Sequence, residues 1–420
     1  MKALKIILLV LTLLFAQNLL AQSGWYTQNS GTNNDLNSIY FTCLNVGWAV
    51  GDNNTVISTA DGGANWTVQN AGASGDLHSV FFIDLNTGWI VGEQGSVRKT
   101  TNSGINWFPQ TSGVPTFDLY SVTFTDINMG HVVGNARLRM RTTNGGDFWT
   151  AIVQTQPGIL YSVYFPPSAI SFTGYAVGGV MQSSIILKTV NAGLNWDLLP
   201  FTASYNLYGV NFPDIDKGWA VGDSGMIITT SNAGINWTSQ SSGTYVKLSS
   251  IDIKNYNDGW ISGDSGKILN TTNGGDTWKA QLSGTTNNLN YVFFATSQYG
   301  WAVGSNGTIL HTTTGGITSV KNINTEIPTE YFLKQNYPNP FNPSTTVEFK
   351  IPKTSEVKLT IYDVLGKEIA VLVNENLNAG SYTVDWPAPS ENTMNNVSGV
   401  YFYRLETEQF SSTKKMVLLK

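Results

Sequence analysis

Three arginines alternate with other residues in the stretch NARLRMRTT. Because successive side chains of a strand point to opposite sides, Arg137, Arg139 and Arg141 are predicted to share one face of a strand. Guanidinium groups gathered in this way can bind a carboxylate or another anion through paired hydrogen bonds. The alternative is structural: these arginines form salt bridges, or lay their aliphatic stems against neighbouring apolar side chains.

The carboxylates offer a different chemistry, since hydrolysis of a sugar bond needs two of them facing that bond. Most of the acids recur at equivalent points of a repeating pattern, namely Asp35, Asp76 and Asp118, then Asp84, Asp126 and Asp214, and finally Asp52, Glu93, Asp223 and Asp264. Residues that follow a repeat are typical of structural roles. The histidines, His78, His131 and His311, show no spacing typical of a metal site. We therefore expect no catalytic residue, no cofactor and no metal.

Composition narrows the class of protein. Only 12% of the 420 residues are charged, and the chain contains 42 glycines and 13 tryptophans. Few charges with many aromatics and glycines favour an all-β protein with many tight turns. The net charge of −5 gives no basic surface for nucleic acid. The single cysteine, Cys43, excludes an internal disulfide.

The N-terminus has the pattern of a secretory signal peptide. Lys2 and Lys5 precede the apolar run IILLVLTLLFA, and Ala21 is a small residue at a plausible cleavage point. A membrane anchor is the alternative, but the run is short for a spanning helix. We predict that residues 1–21 are removed and that the mature protein has no membrane span.

A repeat dominates the rest of the chain. The landmark Gly-aromatic-x-x-Gly occurs seven times at intervals of 41 to 44 residues, beginning at Gly47, Gly88, Gly130, Gly174, Gly218, Gly259 and Gly300. Each copy contains four short runs of alternating apolar residues, separated by Gly, Asn and Asp clusters that indicate turns. Four strands per copy, repeated radially, make a β-propeller, so residues 22–318 are predicted to form seven blades.

The seventh copy has no closing strand of its own. The other six end in a tryptophan, but the seventh runs TILHTTTGGITSV. Trp25 lies 11 residues before Leu36, as Trp66 lies 11 residues before Leu77. We predict that the strand containing Trp25 completes blade seven and closes the ring, which removes an exposed sheet edge.

The turn before each closing tryptophan, as in STADGGANW, combines an Asn or Asp that accepts backbone hydrogen bonds with a glycine of positive φ. This pattern resembles the Asp-box (BNR) repeat, and GWAVGDSGMIITTSNAGINW resembles the propellers of the photosystem II assembly-factor family. Copies three and four depart from it, with His131 and Tyr175 in place of tryptophan, and Arg139 stands where other copies have Val or Ile. Blades two to four are therefore the predicted ligand site, with Arg137, Arg139, Arg141 and Tyr175 as candidate contacts.

The last quarter of the chain has other motifs. A polar linker is predicted at 319–330, and the short alternating strands of 331–420 predict a small antiparallel sandwich. This segment resembles the C-terminal sorting domain of the bacterial type IX secretion system. The matching residues are Pro338, Asn339, Pro340 and Phe341, then Asp363 and Gly366, then Gly399 and Tyr401, and the basic end at Lys414 and Lys415. The resemblance implies that the protein comes from a Gram-negative bacterium. It also implies that this segment is a sorting signal, which the secretion system recognises and which is later cleaved off.

Together these features predict an exported, monomeric, non-catalytic propeller that binds a protein or a glycan at the cell surface or in the medium. The alternative is a secreted glycoside hydrolase of the sialidase or xyloglucanase type. Sialidases of this kind gather arginines from several blades, whereas here Arg98, Arg137, Arg139 and Arg141 all lie in copies two and three.

Overall fold

The structure is a computed structural model that describes residues 24–154, 156–167, 172–181, 183–201, 203–316, 321–324, 327–342, 345–386 and 398–419. The predicted signal peptide lies outside the described residues. The chain divides into two compact units, one of which spans Gly24–Ile317 and the other begins at Thr318. No helix in the described ranges is long and apolar enough to cross a bilayer.

Among the residues that the structure describes, the first unit contains 28 strands in seven four-stranded antiparallel sheets. Strand β1 (Gly24–Gln28) precedes the first full blade. Blades one to three contain β2 (Leu36–Phe41), β3 (Gly47–Gly51), β4 (Thr55–Thr59) and β5 (Thr67–Gln69), then β6 (Leu77–Phe82), β7 (Gly88–Gly92), β8 (Val97–Thr100) and β9 (Phe108–Pro109), then β10 (Leu119–Phe124), β11 (Gly130–Gly134), β12 (Arg139–Thr142) and β13 (Thr150–Ile152).

Blades four to seven continue the same order. They contain β14 (Ile159–Tyr164), β15 (Gly174–Val180), β16 (Ser183–Thr189) and β17 (Asp197–Leu198), then β18 (Leu207–Asn211), β19 (Gly218–Gly222), β20 (Ile227–Thr230) and β21 (Thr238–Gln240), then β22 (Leu248–Ile253), β23 (Gly259–Gly263), β24 (Lys267–Thr271) and β25 (Lys279–Gln281), and last β26 (Leu289–Phe294), β27 (Gly300–Gly304) and β28 (Ile309–Gly316). A single 3₁₀ turn, Asp223–Gly225, follows β19. The predicted seven-bladed, all-β architecture is confirmed.

The N-terminal strand belongs to the last blade. Strand β1 pairs antiparallel with β28, with Gln28 opposite Ile309 and Gly24 opposite Gly316. Trp25 is 3% exposed, and its ring meets Phe294 edge-on at 5.6 Å. Blade seven therefore takes its outermost strand from the start of the chain, and β1 covers the edge that β28 would otherwise expose.

Aromatic stacking joins six of the seven described pairs of neighbouring blades, and between blades five and six Trp219 packs in one apolar cluster with Ile253. The ring of Trp48 in blade one lies 3.6 Å from that of Phe82 in blade two, and the ring of Trp301 in blade seven lies 3.7 Å from that of Phe41 in blade one. Each phenylalanine also meets the closing tryptophan of its own blade edge-on, as Phe82 meets Trp107 at 5.8 Å. Such stacked and edge-on pairs bury large apolar areas, so the core lies between blades.

The Asp-box turns form as their residues predict. In the first copy, Asp61 accepts a hydrogen bond from the backbone N–H of Asn65 at 2.9 Å. The hydroxyl of Thr59 accepts one from the N–H of Gly63, also at 2.9 Å, and Gly63 has a φ of +91°. Only glycine adopts that conformation without strain. The equivalent bonds recur in the other copies, for example from Gly104 to Thr100 at 2.9 Å.

The second unit is a sandwich of two four-stranded sheets. One contains β29 (Lys321–Asn324), β30 (Phe332–Leu333), β31 (Thr345–Ile351) and β34 (Gly380–Trp386), and the other contains β32 (Ser355–Tyr362), β33 (Glu368–Leu377), β35 (Gly399–Thr407) and β36 (Phe410–Leu418). Alternate residues such as Val347, Phe349 and Ile351 face a shared apolar core. The predicted linker at 319–330 is wrong in part, because β29 pairs with β34 and so belongs to the sandwich.

Candidate functional site

The seven inner strands enclose a cavity of about 650 Å³. Each inner strand has a buried leucine as its first residue, or as its second in β14, and a bulge follows directly, as in β2 between Leu36 and Ser38. Because of this bulge, the first and fourth residues after the leucine both line the cavity. We call the end of the propeller where the inner strands begin the upper face, and the other end the lower face.

Four rings from consecutive blades form a continuous curved row at the upper end of this cavity. His78, Tyr120, Tyr161 and Tyr208 each come directly after the leucine of their strand, and their ring centroids are 5.0, 5.5 and 4.8 Å apart in that order. We call this row the aromatic arc. The ammonium of Lys247 lies 5.2 Å from the Tyr208 ring centroid and extends the row into blade six.

Burial keeps the aromatic arc uncharged near neutral pH. It raises the pKa of Tyr208 to about 12, an effect to which the nearby Asp223 carboxylate adds. It also raises the pKa of Tyr120 and Tyr161, and it lowers the pKa of His78. The Tyr208 hydroxyl donates a hydrogen bond to Asp223 at 3.2 Å, which fixes the ring. The arc is thus a half-buried, neutral surface of aromatic rings.

The repeated acids of the upper face bind backbone groups. Asp35, Asp76 and Asp118 accept hydrogen bonds from the N–H groups of turn residues in the preceding blade, at 2.8, 2.9 and 3.2 Å. Those turn residues, Asn306, Asn53 and Gln94, have positive φ. On the lower face, Asp84, Asp126 and Asp214 accept pairs of backbone N–H bonds at 2.6 to 2.8 Å. These carboxylates therefore hold turns in place.

The three arginines do not lie together, so the prediction of one shared strand face is wrong. Arg137 lies in the turn before β12, with a φ of +51°. Arg141 extends toward the lower face, where its Nε donates to the carbonyl of Ala192 in blade four at 2.7 Å. Lys188 makes the equivalent bond to Ala233 at 2.7 Å, so Arg141 repeats a structural contact between blades.

Arg137 and Arg139, which we call the arginine pair, remain on the upper face. Arg137 donates to the carbonyl of Pro157 at 3.0 Å and is half-buried. Arg139 is only 7% exposed, and its Nε has no hydrogen-bond partner among the described residues. Burial, followed by the repulsion of Arg137, lowers the pKa of Arg139. No carboxylate in the described part of the chain forms an ion pair with either side chain.

Tyr175 is a core residue, which corrects its prediction as a ligand contact. It is fully buried, and its ring lies 3.8 Å from that of Phe212, as the tryptophans of other copies stack on the next blade. His131 takes the same place in blade three and stacks on Phe165 at 4.1 Å. Neither side chain reaches the solvent, so neither can touch a ligand directly.

The third histidine, His311, is buried in blade seven. His311 is 7% exposed, stacks on Trp301 at 4.5 Å and shares a hydrogen bond with Tyr26. Burial lowers the pKa of His311 to about 3. In the described ranges, no group of three or more His, Cys, Asp or Glu residues could hold a metal ion.

The proline-rich segment of the second unit lies along the last strand. The backbone N–H of Phe341 donates to the carbonyl of Val417 at 2.9 Å, and Asn339 accepts a bond from the N–H of Val417 at 3.0 Å. The Phe341 side chain is 2% exposed and belongs to the core. Pro338 and Pro340 both follow cis peptide bonds. This segment therefore ties β36 to the opposite sheet.

The other predicted sorting residues are spread over the second unit. Asp363 accepts two backbone bonds in the turn that Gly366 completes with a φ of +80°. Gly399 begins β35, whereas Tyr401 is buried and meets Trp386 edge-on at 5.5 Å. The two lysines, Lys414 and Lys415, lie on β36. Their part in sorting stays a prediction.

Sequence reasoning missed the aromatic arc. Its members occupy one column of the repeat, directly after the leucine of each inner strand, where other copies have Asn37, Ser249 and Asn290. Comparing this column across the copies would have revealed a run of four aromatic rings in adjacent blades. The bulge hid this arrangement from sequence reasoning. In a regular strand the first and fourth residues after the leucine would point to opposite sides, and only the bulge lets both of them line the cavity.

Comparison with known families gives two matches. Residues 17–113 and 196–284 match the family described as photosynthesis system II assembly factor YCF48, and residues 335–419 match the secretion system C-terminal sorting domain. The first match omits copies three and four, where the arginine pair lies. No curated protein matches the chain.

Two solved structures share the propeller fold. The first, described as YCF48 bound to D1 peptide, is 24% identical with a TM-score of 0.59, and the match covers 70% of this chain and 96% of that one. The second, YCF48 from Cyanidioschyzon merolae, is 20% identical with a TM-score of 0.58, and the match covers 69% and 98%. The chain therefore joins a propeller similar to those of YCF48 to a segment that matches the secretion system C-terminal sorting domain, which directs it through the outer membrane to the cell surface or the medium.

Proposed function

We propose that the exported propeller is a non-catalytic binding protein whose partner is a protein segment with an accessible carboxylate. The segment lies across the upper face, and the arginine pair holds its carboxylate. The proposal assigns the function to blades two to five, which include copies three and four, the copies that depart most from the repeat.

The observation that carries this proposal is the Nε of Arg139, which is buried and has no hydrogen-bond partner among the described residues. A buried guanidinium N–H without a partner destabilises a fold, because it loses its hydration and gains no compensating bond. The other copies have Val or Ile at this position and avoid that cost. A carboxylate bound to Arg139 would supply charge-assisted hydrogen bonds at a site that already excludes much of the water.

The aromatic arc supports a protein partner. Tyrosine and arginine are enriched among the residues that contribute most to protein interfaces, since they combine a large apolar surface with polar groups. The arc provides three tyrosines in a row on the same face as the arginine pair. The similar structure described as bound to D1 peptide is a precedent for a peptide ligand on this fold.

The acids of the upper face favour binding over hydrolysis. A glycosidase needs two carboxylates free to act on one sugar bond. Here Asp35, Asp76 and Asp118 are engaged with backbone N–H groups of neighbouring blades. Their regular use as turn residues explains their positions without a catalytic role.

The test is a peptide array incubated with the mature protein, in which each peptide is present with a free and with an amidated C-terminus and with acidic residues replaced by amides. We expect binding that depends on a carboxylate and that weakens at least tenfold in Arg139→Gln, as the loss of a charge-assisted hydrogen bond predicts. Arg141→Gln is the matched control and should bind like the parent. Equal binding of free and amidated peptides, or turnover of polysaccharides by the purified protein, would contradict the proposal.

A further inference from the structure

A second group of side chains lines the cavity below the aromatic arc. It consists of the fourth residues after the leucines, which are Tyr40, Phe81, Thr123, Tyr164, Asn211, Asp252 and Phe293. Tyr291 of blade seven joins them from a column in which the other copies have serine or glycine. This ring of residues has no part in the proposed function of the upper face.

One side of the ring contains an amide that lacks a hydrogen-bond donor. Asn211 is 7% exposed, and its side-chain carbonyl oxygen is buried without a partner among the described residues. A buried amide oxygen without a partner costs about 1–3 kcal/mol, so a donor in the cavity, reached by rotation of the amide, would stabilise this side of the ring. Asp252 belongs to the next blade and is also 7% exposed.

The charge in the ring is balanced. The ammonium of Lys254 lies 3.1 Å from Oδ2 of Asp252, and the same oxygen accepts the backbone N–H of Phe294 at 2.6 Å. Both described partners of Asp252 are therefore on Oδ2. A cationic ligand would compete with Lys254, and an anionic ligand would be repelled by Asp252, so the site favours a neutral one.

The opposite side of the ring is aromatic. The ring centroids of Tyr40 and Phe81 are 5.1 Å apart, and Tyr40 lies at the same distance from Phe293. Tyr291 remains 36% exposed within the cavity. The Asp252 carboxylate adds to the effect of burial in raising the pKa of Tyr40, Tyr164 and Tyr291.

We propose that this ring is a second binding site, distinct from the upper face, for a neutral pyranose sugar. The cavity of about 650 Å³ lies within the range of small-molecule sites, roughly 300–1,000 Å³. A pyranose presents a C–H face that packs on Tyr40, since the ammonium of Lys254 already lies over the Phe293 ring at 5.2 Å from its centroid. It also presents hydroxyls that donate to Asn211 and Asp252. Few other neutral ligands combine a flat apolar face with several donors at their edge.

The experiment measures saturation transfer by NMR from the mature protein to methyl α-D-glucopyranoside, methyl α-D-mannopyranoside and methyl β-D-galactopyranoside, each titrated to obtain Kd. We expect transfer to at least one of the three, with the strongest signal on the ring C–H protons. Asn211→Ala should weaken that binding roughly three- to tenfold, because the hydrogen bond between the amide and the sugar is lost. The substitution removes no described hydrogen bond within the protein. Tyr291→Ser, which restores the serine of other copies, should weaken it as well.

Two controls separate this site from the upper face. Arg139→Gln should leave sugar binding unchanged, and Asn211→Ala should leave peptide binding unchanged. Each variant must keep the melting temperature of the parent within about 2 °C for its binding result to count, and Asn211→Ala meets the folding requirement most directly because its amide makes no described bond. Absence of transfer to all three sugars, or unchanged affinity in both Asn211→Ala and Tyr291→Ser, would overturn the proposal and leave the cavity to solvent.

Discussion

Replacement of Trp25 by alanine tests how the ring closes. Trp25 is the only closing tryptophan in the described chain that reaches its blade from the opposite terminus. Its indole N–H donates to the side chain of Gln281 at 2.8 Å, and its ring packs on Phe294 and near Trp260 in one apolar cluster. The substitution removes all of these contacts and leaves the backbone of β1 in place.

The expected loss of stability follows from burial. A buried tryptophan contributes about 150–250 Å² of apolar surface, which corresponds to roughly 4–6 kcal/mol, and measured Trp→Ala changes in cores cost about 3–5 kcal/mol. For a domain of this size, 1 kcal/mol corresponds to about 2 °C in Tm. We therefore expect the Tm of the propeller transition to fall by roughly 6–10 °C.

The assay is calorimetric melting of the mature protein, with a truncated chain that begins at Asn34 as a second variant. The truncation also removes the pairing of β1 with β28, so it should melt lower still and aggregate through the exposed edge of β28. Trp66→Ala is the matched control, because Trp66 has the same place in blade one but is only half-buried and its N–H has no described partner. Its effect should be smaller. Melting of both Trp25 variants within about 2 °C of the parent would refute closure by β1.

Three further predictions concern other parts of the chain. A chain that ends at Ile317 should keep the propeller transition but accumulate in the periplasm of its host, and normal amounts in the medium would refute the sorting assignment. Arg139→Ile should raise the Tm, by an amount that corresponds to about 1 kcal/mol, while peptide binding is lost; a lower Tm would show that Arg139 stabilises the fold. Burial, followed by the repulsion of Arg141, lowers the pKa of His131 to about 3. Between pH 6.5 and 3 the unfolded chain therefore binds a proton that the folded chain does not. This proton lowers the free energy of unfolding at pH 4.5 by about 2–3 kcal/mol relative to neutral pH. His131→Trp should flatten that decline in a pH series of melting curves, and an unchanged slope would contradict it.

The fold could be predicted because the same sequence pattern occurs in seven copies. Each Asp-box turn depends only on residues within a few positions of each other, as Thr59, Asp61 and Gly63 show. The closing role of Trp25 could also be predicted, since spacing along the chain defines the register. The boundary of the second unit was predicted less well, because a four-residue strand such as β29 has too few residues to show alternation.

The candidate sites could be predicted only in part, for a physical reason. The arginine motif correctly indicated that blade three departs from the repeat. Whether each side chain points to a neighbouring blade or to solvent depends on contacts between residues distant in sequence, such as that of Arg141 with Ala192. A bulge in each inner strand then changes which residues face the cavity. No pattern along the chain indicates that bulge, so the columns of Tyr208 and Asp252 were not recognised.

The deviations from the repeat therefore have two different meanings, and packing separates them. Where a column lies between blades, a substitution must keep the stacking, and His131 and Tyr175 do so at 4.1 and 3.8 Å from their phenylalanines. Such a deviation is explained by the core and requires no ligand. Where a column faces the cavity, packing sets no such requirement, and the buried Oδ1 of Asn211 has no structural explanation there. Arg139 lies in a column between blades, where its equivalents Val56, Val97 and Ile227 are core residues, and a guanidinium adds nothing to that packing. Such a residue destabilises the fold, whereas its equivalents in the other copies do not. The best explanation is a partner that lies outside the fold and binds to this residue.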